Sequence, residues 1–316
     1  MSPQPLVSVI MPCYNAAPTV QEAVASARAQ TYRPLEIIAV DDKSRDDTIA
    51  LLQSIAGDDL TIIAAAQNGG AGAARNRAIA AAKGKYLAFL DADDTWSPEK
   101  LARQIALLEA DPALVMVGCH AEVLRMGGER ELVNARRAPP QGREAWRAML
   151  HHSFYVPSEI VVTAAVAKEI GGFDETMRGA EEDQDFFIRA ALLGGVGFVD
   201  ACLVTMHEQP GSLSIRNRSR EHETVLPMIL RHCEALGDRL GAREHRAILG
   251  ARYASIGRNA YFGHPALGAR LIGRAILAGD EPLTNFWYLI TASPWARRLK
   301  AKLFHSAAGA ETLART

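Results

Sequence analysis

Four short apolar runs, Leu6 to Met11, Leu35 to Val40, Leu60 to Ala66 and Tyr86 to Leu90, punctuate residues 6–90, and a helix-forming stretch follows each of the first three. Apolar runs without polar alternation read as strands buried on both faces. Strands alternating with helices specify a doubly wound, Rossmann-like α/β sheet that is mostly parallel. The fourth run lies between Lys83-Gly84 and the acids Asp91-Ala92-Asp93-Asp94. A helix should restart just beyond, with Ser97 as N-cap, Pro98 at the first helical position and Glu99 at the positive helix end. Asp91, Asp93 and Asp94 are therefore expected on a loop at the carboxyl end of a central strand, where open α/β sheets bind ligands.

Carboxylates this close repel one another. Hard oxygen ligands on a loop suit Mg²⁺ or Mn²⁺, typically shared with substrate phosphates. For an isolated Asp-x-Asp, a solvated turn capping the next helix would be the better reading; the other strand ends favour the metal. Pro12 should end the first strand, and Tyr14 can stack on a ligand ring or pack on the surface. Ser44 and Asp47 have capping-box spacing. Asp41 and Asp42 precede that cap and are not explained by it; a carboxylate there can accept a uracil or thymine imide N–H, or a ribose hydroxyl. Gly69 to Gly72 turn the chain into an Ala-rich helix whose N-terminus favours anions, with Arg75 in its early turns. Gly70-x-Gly72, followed by Asp91 about twenty residues later, imitates a dinucleotide fingerprint. Its third glycine position is Arg75, however, and the turn follows the third strand rather than the first, so this reading ranks below the metal one.

Further strands are expected over Leu114 to Gly118, Ile160 to Thr163, Val196 to Val199 and Leu203 to Met206, with helices over Arg143 to His152 and Phe186 to Leu193. Arg125 to Gly142 reads as an exposed hairpin and loop suited to acceptor contacts. Glu181-Glu182-Asp183 opens a helix, where acids are commonplace for dipole reasons alone. His207 sits in a polar stretch and would by itself be a poor metal candidate. Residues 216–303 are helical in pattern, with breaks at Gly237, Gly263-His264-Pro265 and Gly279-Asp280-Glu281-Pro282. Ala266, Arg270 and Arg274, with Ala269 and Gly273, suggest a close-packed helix pair; one partial two-helix copy establishes no repeat. We thus expect an α/β domain over residues 1–215 and a helical C-terminal region over 216–316.

Composition narrows the partners. Lys plus Arg (35) nearly balances Asp plus Glu (36), so no overall field favours nucleic acid. The four cysteines form no CxxC pair, which fits a reducing cytoplasm. Met1 to Pro5 has no basic or long apolar character, so no secretory signal is expected, and no run approaches the ~20 apolar residues of a membrane span. Phe286-Trp287-Tyr288 and Trp295 beside Arg297-Arg298-Leu299-Lys300 fit two pictures. One is peripheral contact with an anionic bilayer at the inner face of the membrane; the other is a packed helix with a solvated basic face.

Taken in order, Val7-Ser8-Val9-Ile10-Met11-Pro12-Cys13-Tyr14-Asn15, Val40-Asp41-Asp42-Lys43-Ser44, Asn68-Gly69-Gly70-Ala71-Gly72-Ala73-Ala74-Arg75-Asn76, Leu90-Asp91-Ala92-Asp93-Asp94 and Gly171-Gly172-Phe173-Asp174 with Glu182-Asp183 resemble the family 2 inverting glycosyltransferases of the GT-A fold. The series spans about the first two-thirds of the chain and is specific as a set. The resemblance implies that Pro12 and Tyr14 line a base pocket and that Asp42 reads the base, with Asp41 its alternative. It implies Arg75 near the diphosphate, Asp91 and Asp93 as the Asp-x-Asp motif with Asp93 the metal acid, Asp183 as catalytic base and His207 closing on the metal. Two departures stand out: Lys43 occupies a position usually held by Gly, and the second cluster is doubled as Glu181-Glu182. The Gln-x-x-Arg-Trp motif and the membrane spans of processive members are absent from the sequence, which implies transfer of a single sugar. The implied activity is metal-dependent, inverting transfer from a nucleoside-diphosphate sugar, UDP-linked by preference, to a glycan or glycolipid acceptor. The alternatives are a nucleotide-sugar-binding protein without catalysis and, below it, an NAD-dependent oxidoreductase.

Overall fold

The computed structural model describes residues 3–133, 137–177, 181–208, 221–261 and 264–292. The chain divides into two compact units, Met1–Ile215 and Arg216–Thr316. The first opens with β1 (Val7–Cys13), α1 (Val20–Arg28), β2 (Leu35–Asp41), α2 (Thr48–Ser54), β3 (Leu60–Ala64), α3 (Ala71–Ala81) and β4 (Tyr86–Phe89). It continues with β5 (Asp94–Trp96), α4 (Lys100–Ala110), β6 (Leu114–Leu124), β7 (Arg130–Leu132) and α5 (Ala145–His151). A 3-10 turn (Pro157–Glu159), β8 (Val161–Thr163), α6 (Ala164–Glu169), α7 (Glu182–Ala191) and β9 (Gly195–His207) complete it.

The strands form one nine-stranded sheet in the order β3-β2-β1-β4-β8-β6-β9-β5, with β7 paired to β6. The β3-β2-β1-β4 half is parallel. Beyond it β8 runs antiparallel between β4 and β6, β6 and β9 are parallel, and β5 returns antiparallel to β9. Alternation along the strands supplies two apolar faces. Val7, Val9, Met11 and Cys13 join Val20 and Val24 of α1 and Leu101 and Ile105 of α4 in one cluster. On the other face Phe89 meets Phe173 and Phe186 edge-on at 5.4 Å, and those two rings stack at 4.2 Å. Such ring pairs add about 0.5–1.5 kcal/mol each beyond area burial, and here they seat α7 on the sheet beside β4.

Several local expectations are corrected. Pro12 does not end β1: Cys13 still pairs with Asp41, and its carbonyl accepts the Asp42 N–H at 2.8 Å. The Ser44/Asp47 capping box does not form; the Ser44 hydroxyl accepts the Asn15 N–H, and Asp46 takes the Thr48 N–H at the start of α2. Nor does Ser97 cap α4 through its side chain; the helix begins at Lys100, whose N–H meets the Ser97 carbonyl. Asp94 lies in β5, not on a loop. The two strands expected over 196–206 are one strand, β9, irregular opposite Cys119 and His120. The Arg125 to Gly142 stretch does hold a hairpin, made by the end of β6 and β7, while residues 134–136 lie outside the described residues.

The second unit contains α8 (Glu221–Leu236), α9 (Ala242–Tyr261), α10 (Pro265–Ala278) and α11 (Pro282–Ala292). α8 and α10 end directly before Gly237 and Gly279, and α10 and α11 begin at Pro265 and Pro282, positions that the sequence marks as breaks. The close α9–α10 seam uses different residues from those expected. A Cβ on Gly268 would come within 2.5 Å of the Tyr261 backbone, whereas Gly273 faces open space, and Ala266 and Arg270 are exposed. Arg258 donates to Asn285 at 2.8 Å, joining α9 to α11. No described helix is long and apolar enough to cross a membrane. The basic run 297–302 lies outside the described residues.

Candidate functional site

The carboxyl ends of β2 and β4 carry the sequence-predicted Asp41, Asp42, Asp91 and Asp93, the end of β1 carries Pro12 and Tyr14, and Asp183 lies on α7. Pro12 is partly exposed near the end of β1, and Tyr14, just beyond it, is exposed. Asp41 and Asp42 are both buried but differ in their partners. Asp42 accepts the Gly69 N–H at 2.9 Å and the Gly70 N–H at 2.7 Å, and Arg77 lies 3.3 Å away. The turn before α3 is thus an anion site whose anion is the chain's own carboxylate. Gly70 has φ +86°, a left-handed conformation that glycine adopts without steric cost and that the turn needs to present its N–H. Its N–H groups are therefore not free to cradle a dinucleotide pyrophosphate. Asp41 accepts the Ser44 N–H through Oδ2, while its buried Oδ1 has no partner. Buried carboxylate oxygens without partners are costly and rare.

Asp91 to Asp94 form a strap between β4 and β5. The Asp94 N–H bonds the Asp91 carbonyl at 3.0 Å. Burial, then the neighbouring Asp91, pushes the Asp93 carboxyl up to about 6. Burial, followed by Asp91 and Asp93, holds Asp94 well above the usual carboxylate range. The pairing of β5 with β9 brings His207 to this strap: Asp94 sits opposite Met206, and the His207 Nδ1 lies 3.1 Å from the Asp93 carbonyl. A carbonyl only accepts, so in neutral His207 this contact places the proton on Nδ1 and leaves the Nε2 lone pair available. Among the described residues no group of three or more His, Cys, Asp and Glu side chains is arranged to hold a metal ion by itself.

Arg75 links this strap to α7. Its buried guanidinium contacts Asp91 at 2.7 Å and Glu182 at 3.0 Å and lies over the Phe173 ring at 5.3 Å. Burial acts to lower its pKa, but Asp91 and Glu182 outweigh that and hold it above its ordinary value. Arg75 is thus a cross-brace between two acidic elements rather than a free cation at the cleft surface. Asp183 follows Glu182 on the first turn of α7, and its carboxyl is held well above the usual range by burial, then by Glu182 and Glu181. Glu181, which precedes the helix, has φ +59°, a conformation uncommon outside glycine. Asn15 and Lys43 share it, at φ +50° and +63°. Strained backbone of this kind gathers at functional sites. The Lys43 conformation also gives a reason for Gly at that position in the resembling family, and its Nζ bonds the Ala66 carbonyl at 3.1 Å.

The fold therefore joins Asp91, Asp93 and His207 at one strap and ties Asp91 through Arg75 to the Glu182-Asp183 turn. Asp42 is drawn into a separate lock. Ser158, Asn76 and Arg77 were not singled out as individual residues from sequence. Asn76 bonds both the N–H and the carbonyl of Phe173, tying α3 to the Gly-Gly-Phe-Asp turn. Its place directly after Arg75, in a helix start otherwise made of Ala and Gly, is the one sequence signal that could have marked it.

A curled mixed sheet with acids at its carboxyl edge and a helical C-terminal part is the fold of the GT-A glycosyltransferases. Residues 8–171 match the profile of Glycosyl transferase family 2, and the chain belongs to that family. An uncharacterized glycosyltransferase of Rickettsia typhi is 31% identical over 230 residues, covering 70% of each chain. The Escherichia coli UDP-Glc:alpha-D-GlcNAc-diphosphoundecaprenol beta-1,3-glucosyltransferase WfaP is 42% identical over 106 residues, 34% of this chain and 42% of its own. Among solved structures, residues 1–349 of S. aureus TarS in complex with UDP-GlcNAc share the fold, with a TM-score of 0.65 and 20% identity over 86% of this chain and 81% of that one.

Proposed function

We propose that the chain transfers one sugar from a nucleoside-diphosphate donor, UDP-linked by preference, to an acceptor hydroxyl of a surface glycan or glycolipid, with inversion and with Mg²⁺ or Mn²⁺ as cofactor. The observation that carries this reading is the bracing of the acid strap to the Asp183 turn through Arg75, which ties a cation site and a base site to one buried group. The donor and acceptor of WfaP are of these classes.

The donor set fits a hard divalent ion. Asp93 and the Nε2 of His207 would hold it, with Asp91 beside them, and two protein ligands leave room for phosphate oxygens. Burial, then repulsion from Asp91, pushes Asp93 up to about 6, and a bound cation would offset both. The ion when bound supplies charge stabilisation to the leaving diphosphate. Asp183 takes the proton of the acceptor hydroxyl as that oxygen attacks the anomeric carbon from the face opposite the diphosphate, and no covalent enzyme intermediate forms. Arg75 keeps Asp91 and Glu182 at fixed positions. Asp41, with its unpartnered Oδ1, suits the uracil imide N–H better than Asp42, whose oxygens are already engaged. Pro12 and Tyr14 would line that pocket.

Calorimetry of UDP with and without Mn²⁺ tests the assignment. Asp93→Ala should abolish the metal-dependent gain in affinity while leaving metal-free binding and the fold intact. The same gain in the variant would remove Asp93 from the metal site. A screen of nucleotide-sugar hydrolysis across donors then identifies the sugar; consumption of none of them would overturn the transferase reading for this chain.

A further inference from the structure

The strap that carries Asp93 is closed by a group from a distant part of the chain. Ser158 is fully buried on the 3-10 turn Pro157–Glu159. Its Oγ accepts the Asp91 N–H at 3.0 Å and donates to the Asp94 Oδ2 at 2.5 Å. One hydroxyl therefore grips both ends of the strap, with Asp93 between them. The turn that presents it is itself anchored. Its Ser158 carbonyl accepts the Trp96 Nε1–H at 2.9 Å, its Glu159 carbonyl accepts Gln104 Nε2 at 2.7 Å, and the Glu159 carboxyl takes the Val156 N–H at 2.8 Å. A four-residue strap loaded with like charges would spread if left to itself. Held at both ends against a buried turn, it keeps one shape.

We propose that Ser158 is a positioning residue that holds the Asp91–Asp94 strap in the shape that binds the divalent ion, an inference that rests on the metal reading above. Groups that orient ligands from behind typically change metal affinity by about 10–100-fold when removed. A serine serving only to satisfy a buried carboxyl would instead affect stability and leave metal binding by folded molecules unchanged.

The test uses the full chain and UDP as probe, measuring affinity in Mn²⁺ and in EDTA and taking the ratio of the two. Wild type should bind more tightly in Mn²⁺. In Ser158→Ala the ratio should fall about tenfold, with EDTA affinity kept. Trp96→Phe preserves an aromatic ring but releases the turn's carbonyl anchor, and should lower the ratio by about two- to threefold. It carries the test should Ser158→Ala fail to fold. A wild-type chain with no metal-linked affinity overturns both the metal reading and this one. A normal wild-type ratio that is retained in folded Ser158→Ala, or in Trp96→Phe where that variant alone folds, overturns the role of Ser158 alone.

Discussion

Two aspartate doublets, Asp41-Asp42 and Asp93-Asp94, lie at or beyond the carboxyl ends of β2 and β4, the two parallel strands that flank β1, and they have opposite characters. Asp42 is surrounded by donors: two glycine N–H groups and the Arg77 guanidinium. Its charge is neutralised by the fold itself. Asp93 and Asp94 are crowded by Asp91 and by each other, and burial raises both. Charge that the fold satisfies internally stabilises the fold, whereas charge left unsatisfied is available to a ligand. A doublet of acids at a strand end is thus no indicator of role until its partners are known.

The sharpest way to break this contrast lies on the acidic side of Arg75. Asp183→Asn preserves shape and removes the proton acceptor, so sugar transfer should fall by about 10²–10⁴-fold while UDP affinity changes little. Glu182→Gln, assayed in parallel, loses an Arg75 partner instead. Loss of transfer only in Glu182→Gln would move the base by one residue, and full activity in both variants would return the cluster to helix capping.

The next test compares the two members of the first doublet. Asp42→Asn weakens a buried lock and should destabilise the chain by about 1–3 kcal/mol, read from denaturant unfolding. Asp41→Asn should cost little stability and lower UDP affinity by about fivefold, the order of one hydrogen bond. The reverse pattern would restore Asp42 as the base-reading acid.

A gradual effect, spread over pH, concerns the buried turn behind the strap. Burial pushes the Glu159 carboxyl up to about 8 and the Lys100 ammonium down to about 8. Between the ordinary carboxylate value and about 8, folded Glu159 holds a proton that the unfolded chain has released, so stability falls as pH rises through that window. Above it the unfolded chain holds the extra proton, on Lys100, and stability recovers toward the ordinary lysine value. One proton sets the slope, which should not exceed about 1.4 kcal/mol per pH unit. Melting temperatures from pH 5 to 8 should decline in the wild type and flatten in Glu159→Gln; equal slopes would show that Glu159 is not the titrating group.

Much of the fold was readable from residues alone, because apolar runs such as Tyr86 to Leu90 can only be buried strands and the helices between them carry their own punctuation. The helix ends of the second unit were readable for the same local reason. The acids at strand ends were visible as candidates, since like charges in sequence are close in any fold. Contacts between distant segments decided the rest. β5 is three residues long and polar at its start, and it exists because β9 offers it an edge; that pairing alone carries His207 to Asp93. The seam of α9 and α10 runs through Gly257 and Gly268 because backbones approach where side chains are absent on both helices, a coincidence no single helix displays. The separate fates of Asp41 and Asp42 were likewise settled by the turn at Gly69 and Gly70, which supplies N–H donors to one neighbour and none to the Oδ1 of the other. Local pattern determines which segments form and which groups are charged; only tertiary structure determines which charges are answered.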